Sequence, residues 1–332
     1  MIFDHEFDHI TILPRHSELT SRSEIDLSTD YGGGLLLSNP LISSPMSSVT
    51  DYEMAKEIAA YGGVGVIHRY MPHKAQLTAI HLLKRDGLKT MAAVSSKRCL
   101  DTAILCLSKV DGIMLDVAHG DTKACIDLII DIKKTNPDIH ITSGNIVTYD
   151  AASRLKDAGV NAFRVGIGAG HACITRMVSG IGRNQLKAIR EVSKAGLPVL
   201  SCGGIRNSGD IVKCLAAGAS GVIIGRLFST TTESSAKRIG GKVVYAGMAS
   251  PFAEDERASA TGESRDAFHQ SGVYEGETQF LEETGSLRYT VHSLLGGIRA
   301  GLAYLGCRSI KELHSIKDEI VWEDTFGNTY TY

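Results

Sequence analysis

The chain has 332 residues, 43% of them apolar, and a net charge of −2. That length suits one α/β barrel with insertions, since such barrels take about 250 residues, and the balanced charge without a basic stripe argues against nucleic acid as a partner. Seven scattered cysteines without a CxxC pair exclude a disulfide framework and a zinc site; together with an acidic N-terminus that lacks an apolar signal core, and no apolar run long enough to span a membrane, they lead us to expect a cytoplasmic protein with no membrane partner.

In chain order, residues 1–38 precede a series of short apolar runs. Eight runs stand out: 41–44, 63–68, 91–95, 112–117, 139–144, 162–167, 198–203 and 221–226. Most are too continuous for a sheet with one wet face, so they read as parallel strands buried on both sides. Helical patterns fall between them at 51–61, 124–134, 151–158, 184–194 and 208–217, with Asp51 and Ser208 as expected N-caps and Gly218 as a stop. Eight strand–helix units predict a closed (β/α)8 barrel forming a single domain over residues 1–332. Residues 249–286 are polar, with almost no apolar period between Ser250 and Gly272; they read equally as a surface insertion or as a flap over the barrel mouth. The acidic run Glu254–Glu256 reads as a solvated face. A last helix is expected over 289–305.

Barrel active sites lie at the C-terminal ends of the strands. The loop after the sixth run, VGIGAGHACITR, is the most informative: Gly166, Gly168 and Gly170 permit close backbone approach, and Cys173 and Thr175 follow. A thiol at a loop-to-helix junction is a candidate nucleophile. The seventh and eighth runs end in Gly203-Gly204 and Gly225-Arg226, turns suited to holding phosphate, with a guanidinium fork at Arg226. Tyr245 is a further site candidate. His68, His119 and His171 share no metal-ligand spacing.

These residues resemble the inosine monophosphate dehydrogenase and guanosine monophosphate reductase family. Besides the cysteine loop, the likeness covers LTSRSEIDLST near residue 19, SSPMSSVTD at 43, GGVGVIHRYM at 62, LDVAHGD at 115, SGNIVT at 143, GGIRNSGDIVKCLAAGA at 203, YAGMAS at 245 and GSLRYTVHSLLGGIR at 285. The resemblance implies that Cys173 attacks C2 of the purine to form a thioimidate, while a nicotinamide cofactor exchanges hydride there. It implies substrate contacts at Met46, Asn145, Gly203, Gly204, Gly225, Tyr245, Gly247 and Met248. Arg69, Asp116, Val117, Ala118, Ile167 and Gly168 would face the cofactor, and Ser21 and Arg22 would reach a neighbour's cofactor in a homotetramer. The carbonyls of Gly168, Gly170 and Cys173 match a monovalent-cation (K+) loop.

Within the family, Tyr70-Met71-Pro72-His73 leaves no room for the regulatory domain pair that dehydrogenases insert, and 249–286 lacks their Arg-Tyr dipeptide. Thr175 and Glu275 match the reductase pair, and TFGNTYTY resembles a reductase tail. The expected reaction is therefore NADPH-dependent reductive deamination of a guanine nucleotide. The alternatives are an IMP dehydrogenase-like oxidation and a non-catalytic nucleotide-binding paralogue. Three departures mark this chain. Cys202 replaces the aspartate that grips the ribose diol; a thiol is a poor acceptor without fixed charge, which points to 2′-deoxy-GMP or another modified nucleotide. His171 replaces a phosphate-binding serine and, with Arg226, is expected to strengthen phosphate binding. Ala249 stands where reductases have serine.

Overall fold

The computed structural model describes residues 6–96, 109–262 and 272–331. Cys99, Cys106 and the 263–271 portion of the expected flap lie outside them. Eight parallel strands close a barrel: β1 (Leu41–Ser43), β2 (Val64–Ile67), β3 (Thr90–Val94), β4 (Gly112–Leu115), β5 (His140–Ile146), β6 (Ala162–Val165), β7 (Val199–Cys202) and β8 (Gly221–Ile224). Every expected run supplies one of them. Closure is complete, because Val222 to Ile224 pair with Leu41 to Ser43.

The doubly buried character of the strands has a direct cause. Side chains alternate across each strand. Ile42, Val64, Val66, Met91, Ala93, Met114, Ala162, Leu200 and Ile223 fill the barrel interior. Their neighbours Leu41, Ile113, Leu115, Phe163, Val165, Val199 and Val222 pack outward against the helices. The same alternation carries Arg164 inward beside Ala162 and Cys202 inward beside Leu200, where Arg164 and Leu200 are register partners.

Helices lie at Tyr52–Ala60, Lys123–Thr135, Tyr149–Ala158, Gln185–Ser193 and Ser208–Ala216, close to the expected spans. Asp51 caps the first through the backbone N–H of Glu53. The cap of the last is Asn207, which accepts from Asp210, not the expected Ser208. Asparagine is as good a cap as serine, and the one placed before the first helical turn is used. Gly218 follows that helix at φ +109°.

The extensions do structural work. Tyr31, Leu35 and Leu37, on the turn between Thr29–Asp30 and Leu36–Leu37, plug the end where the strands begin. Ile10–Ile12 pairs antiparallel with Trp322–Asp324, which pairs with Thr329–Tyr330, so both ends of the chain share one small sheet. Residues 249–286 are largely ordered among those described. Pro251–Thr261 is a helix capped by Ser250, and Thr278–Leu281 pairs with Lys242–Ala246. The expected solvated face at 254–256 is corrected at Glu254, which is buried; Tyr70 Oη and Arg257 donate to its carboxylate at 2.9 and 2.8 Å. No described helix is long and apolar enough to cross a membrane.

Candidate active site

A cavity of about 280 Å³ opens at the strand ends. Cys173, Thr175 and Glu275 meet in its wall although Glu275 lies a hundred residues further along the chain. The Thr175 hydroxyl donates to Glu275 Oε2 at 2.9 Å and stands 3.1 Å from Cys173 Sγ. A threonine hydroxyl has one hydrogen to give. With that hydrogen on Glu275, the short contact to Cys173 is made by the thiol donating to Thr175, so the chain of donors runs from sulfur to carboxylate. Backbone contacts hold it in place: Ile174 N–H donates to Glu275 O at 2.8 Å and Glu277 N–H to Ala172 O at 2.9 Å.

Met46, Asn145, Gly203, Gly225, Tyr245, Gly247 and Met248, all expected substrate residues, line the same cavity. Asn145 Nδ2 is fixed by Gly166 O at 2.6 Å. Two glycines are required by close approach. A Cβ on Gly225 would stand 2.8 Å from Tyr245 Oη, and Gly203, at φ +112°, would set one 2.9 Å from Gly170 N. Three expected substrate residues are placed elsewhere. Gly204 turns toward the Phe7 ring. His171 and Arg226 line a second cavity behind the same turns. In each case the next residue along a tight turn faces the opposite side, which spacing alone cannot show.

The expected cofactor side divides in the same way. Arg69, Asp116, Val117, Ala118, Ile167 and Gly168 line the cavity, and the apolar surfaces of Val117, Ala118 and Ile167 suit a flat ring such as nicotinamide. Ser21 and Arg22 sit on an exposed 3-10 turn, outside the cavity lining; Ser21 caps that turn and Glu24 bonds back to it. Asp116 is held by two arginines. Arg69 Nε reaches it at 3.1 Å and Arg164 Nη1 at 2.7 Å. Burial alone would raise this carboxyl; the two guanidinium groups overcome that and hold it below its ordinary value.

Arg164 escaped the sequence reading. It lies inside AFRV, and the signal that reveals it is a charge within an otherwise apolar strand. Its Nε donates to Cys202 Sγ at 3.3 Å, so the cavity floor carries an arginine bonded to sulfur on one side and to Asp116 on the other. At the expected cation loop, Gly170 O already accepts Cys173 N–H at 3.0 Å, and the Arg176 side chain lies where a Cβ on Gly168 would be 2.4 Å from its Cγ.

Barrel and site together define a class: a (β/α)8 protein with a cysteine at the strand-six loop wired through a hydroxyl to a carboxylate. The family model described as IMP dehydrogenase / GMP reductase domain matches residues 4–325, and the chain belongs to this family. It is 33% identical over 359 residues to an inosine-5′-monophosphate dehydrogenase of Cryptosporidium parvum, covering 92% of this chain and 89% of that one. It is 32% identical over 330 residues to a GMP reductase of Oenococcus oeni, covering 96% and 97%. A GMP reductase of Lysinibacillus sphaericus is 32% identical over 342 residues, covering 100% and 99%.

Proposed function

We propose that this protein is an oxidoreductase of purine nucleotides that removes the 2-amino group of a guanine nucleotide reductively, with NADPH, giving the inosine nucleotide and ammonia. The observation that carries the reading is the donor chain from Cys173 through Thr175 to Glu275. Its polarity fits the first half of the reaction. The thiol proton passes by way of Thr175 to Glu275 as sulfur bonds to purine C2. Glu275 then returns that proton to the departing amine, the C2–N bond breaks, and a thioimidate remains on Cys173. When bound, NADPH supplies hydride to C2, after which the C2–S bond breaks and the thiolate takes up a proton. Overall, nucleotide, NADPH and two protons give inosine nucleotide, NADP+ and ammonium.

The remaining residues bind and orient. Asn145 and Met248 border the base, and Gly203, Gly225 and Tyr245 border the phosphate. Val117, Ala118 and Ile167 provide an apolar wall for the nicotinamide. On this reading Ser21 and Arg22, exposed on their 3-10 turn, serve a neighbouring subunit's cofactor in a homotetramer.

One feature supports the reductase direction over the dehydrogenase. Among the described residues that line the cavity, Glu275 is the carboxylate bonded to Thr175 beside the thiol, whereas Glu254 and Asp116 are each bonded to arginine. Cys202 supports a relaxed sugar preference, GMP or 2′-deoxy-GMP, because its sulfur is engaged by Arg164 and offers a diol no carboxylate acceptor.

The test is NADPH oxidation with GMP and dGMP, with ammonia measured in parallel. Oxidation coupled to ammonia release, lost in Cys173→Ala, is the expected result. Reduction of NAD with inosine monophosphate in place of it would reverse the assignment, and neither activity would leave a nucleotide-binding paralogue.

A further inference from the structure

Residues 6–9 belong neither to the barrel nor to the lining of the Cys173 cavity, yet three consecutive residues there reach the loops that carry the site. Glu6 accepts from Arg176 Nη1 at 2.8 Å, and Arg176 is the next residue after Thr175. Asp8 is bonded to Arg206, in the turn after β7. Between them Phe7 is buried, 5% exposed, with its ring behind Gly204. The Phe7 carbonyl accepts from Lys213 Nζ at 2.7 Å, on the helix that follows the same turn. The segment is tethered in its own right. His9 O accepts from Thr325 N–H at 3.0 Å, and Ile10–Ile12 pairs with Trp322–Asp324.

The Gly203-Gly204 turn is thereby enclosed on two sides. A Cβ on Gly203 would stand 2.9 Å from Gly170 N and 3.0 Å from Ala169 C, so the turn touches the cysteine loop directly. A Cβ on Gly204, at φ +81°, would stand 3.0 Å from Phe7 Cε2 and 3.3 Å from Ala169 O. Ring, turn and loop are in contact with no slack between them. The flanking ion pairs are weaker fasteners, because Glu6 is 50% and Asp8 68% exposed and solvent screens them. The buried ring is therefore what fixes the turn, and the charges guide the backbone around it.

We propose that Phe7 is a positioning residue for the 5′-phosphate of the substrate: pressed behind Gly204, its ring holds the Gly203-Gly204 turn against the cysteine loop and so sets the span from that turn to the thiol. The proposal rests on the purine-nucleotide reading of the Cys173 cavity, in which Gly203 borders the phosphate. Phe7 itself touches no substrate. Its removal lets the turn relax outward and loosens the phosphate grip, while Cys173, Thr175 and Glu275 stay as they are.

Steady-state kinetics with GMP, thermal unfolding and inhibition by guanosine test it together. Phe7→Ala should raise KM for GMP by about 10-fold or more, the scale of one hydrogen bond to a charged group, with kcat changed less than about 3-fold. Guanosine has the same base and sugar without the phosphate, so it should inhibit parent and variant equally. Phe7→Leu should recover most of the lost affinity. Lys213→Met keeps the ring but frees the Phe7 carbonyl; it should raise KM in the same direction by less, and it carries the test if Phe7→Ala fails to fold. A lower melting temperature with KM for GMP unchanged would mean a purely structural ring and would overturn the proposal. So would a loss shared equally by GMP and guanosine. Both outcomes leave the nucleotide reading intact. If the parent protein neither binds GMP nor turns it over, both fall.

Discussion

Arg164 and Cys202 face each other across adjacent barrel strands, with Nε–H donating to Sγ at 3.3 Å. The contact fixes the thiol in the cavity wall, where the proposed substrate's sugar would lie, and spends its weak acceptor capacity on a guanidinium. Replacing Cys202 with aspartate would put a carboxylate in the same place, with one oxygen to Arg164 and one toward the substrate. Cys202→Asp should raise the GMP-to-dGMP ratio of kcat/KM by about 10-fold or more. Steady-state kinetics on both nucleotides checks it; an unmoved ratio would mean the sugar is read elsewhere.

The donor chain at the thiol makes a different prediction. Thr175→Val and Glu275→Gln should each lower kcat for guanine nucleotides by about 100-fold, the usual size of a lost general acid. With a 2-halo purine nucleotide, whose leaving group needs no proton, the loss should be smaller, since only removal of the thiol proton still depends on the pair. Single-turnover measurement of thioimidate formation with the two substrates separates proton delivery from simple damage to the site.

Asp116 is the buried partner of Arg164. Replacing it with asparagine strands Arg164 in the barrel without its 2.7 Å partner, and breaking one side of a buried pair costs about 3–5 kcal/mol. The double replacement Asp116→Asn with Arg164→Met should cost clearly less than the sum of the two single changes. Urea unfolding of the four proteins gives the coupling directly; strict additivity would refute it.

Burial pushes His140 down to about 4, and His68 likewise to about 4. Both are therefore neutral in the native state at neutral pH. His140 shows why: Nδ1 meets Gly32 O at 2.9 Å and Nε2 meets Thr142 Oγ1 at 2.8 Å, a pairing that suits one neutral tautomer. The unfolded chain takes up protons near pH 6.5, before the folded one does. Stability should thus decline as pH falls from about 6.5 toward 4 and flatten below that range for these two groups. Thermal unfolding across a pH series checks the slope, and His140→Gln should make it shallower.

The barrel was legible because its evidence is local. Each strand is an apolar run, and both of its faces are covered, so no register had to be guessed. The Cys173 loop was legible through its glycines and the family resemblance. What escaped reading depends on distant partners. Glu254 looks solvated in a run of acids, and only the packing of Tyr70, 184 residues away, makes it a buried anchor. The helix Pro251–Thr261 buries Ala253, Glu254 and Arg257, a polar pairing with no hydrophobic period to detect. Arg164 is hidden by the strand around it. His171 and Arg226 stand out in the sequence, but that their side chains line a cavity other than that of Cys173 depends on the direction of tight turns.

That anchor yields a prediction for the helix. Glu254→Ala removes the acceptor of both Tyr70 Oη and the Arg257 guanidinium, leaving a buried cation, and should destabilise the helix by about 3 kcal/mol. Limited proteolysis should then cut within 251–261 in the variant and spare the parent protein. Equal resistance would show that the helix is held by other contacts.

The backbone bridge between Cys173 and Gly276 has a consequence for timing. Glu275, the acceptor in the proposed proton path, is carried by the same short stretch whose amide and carbonyl groups are stitched to the cysteine loop. Separating the two segments would break the stitches and remove the acceptor in one movement. On that path, a cysteine left uncovered would also be a cysteine left protonated.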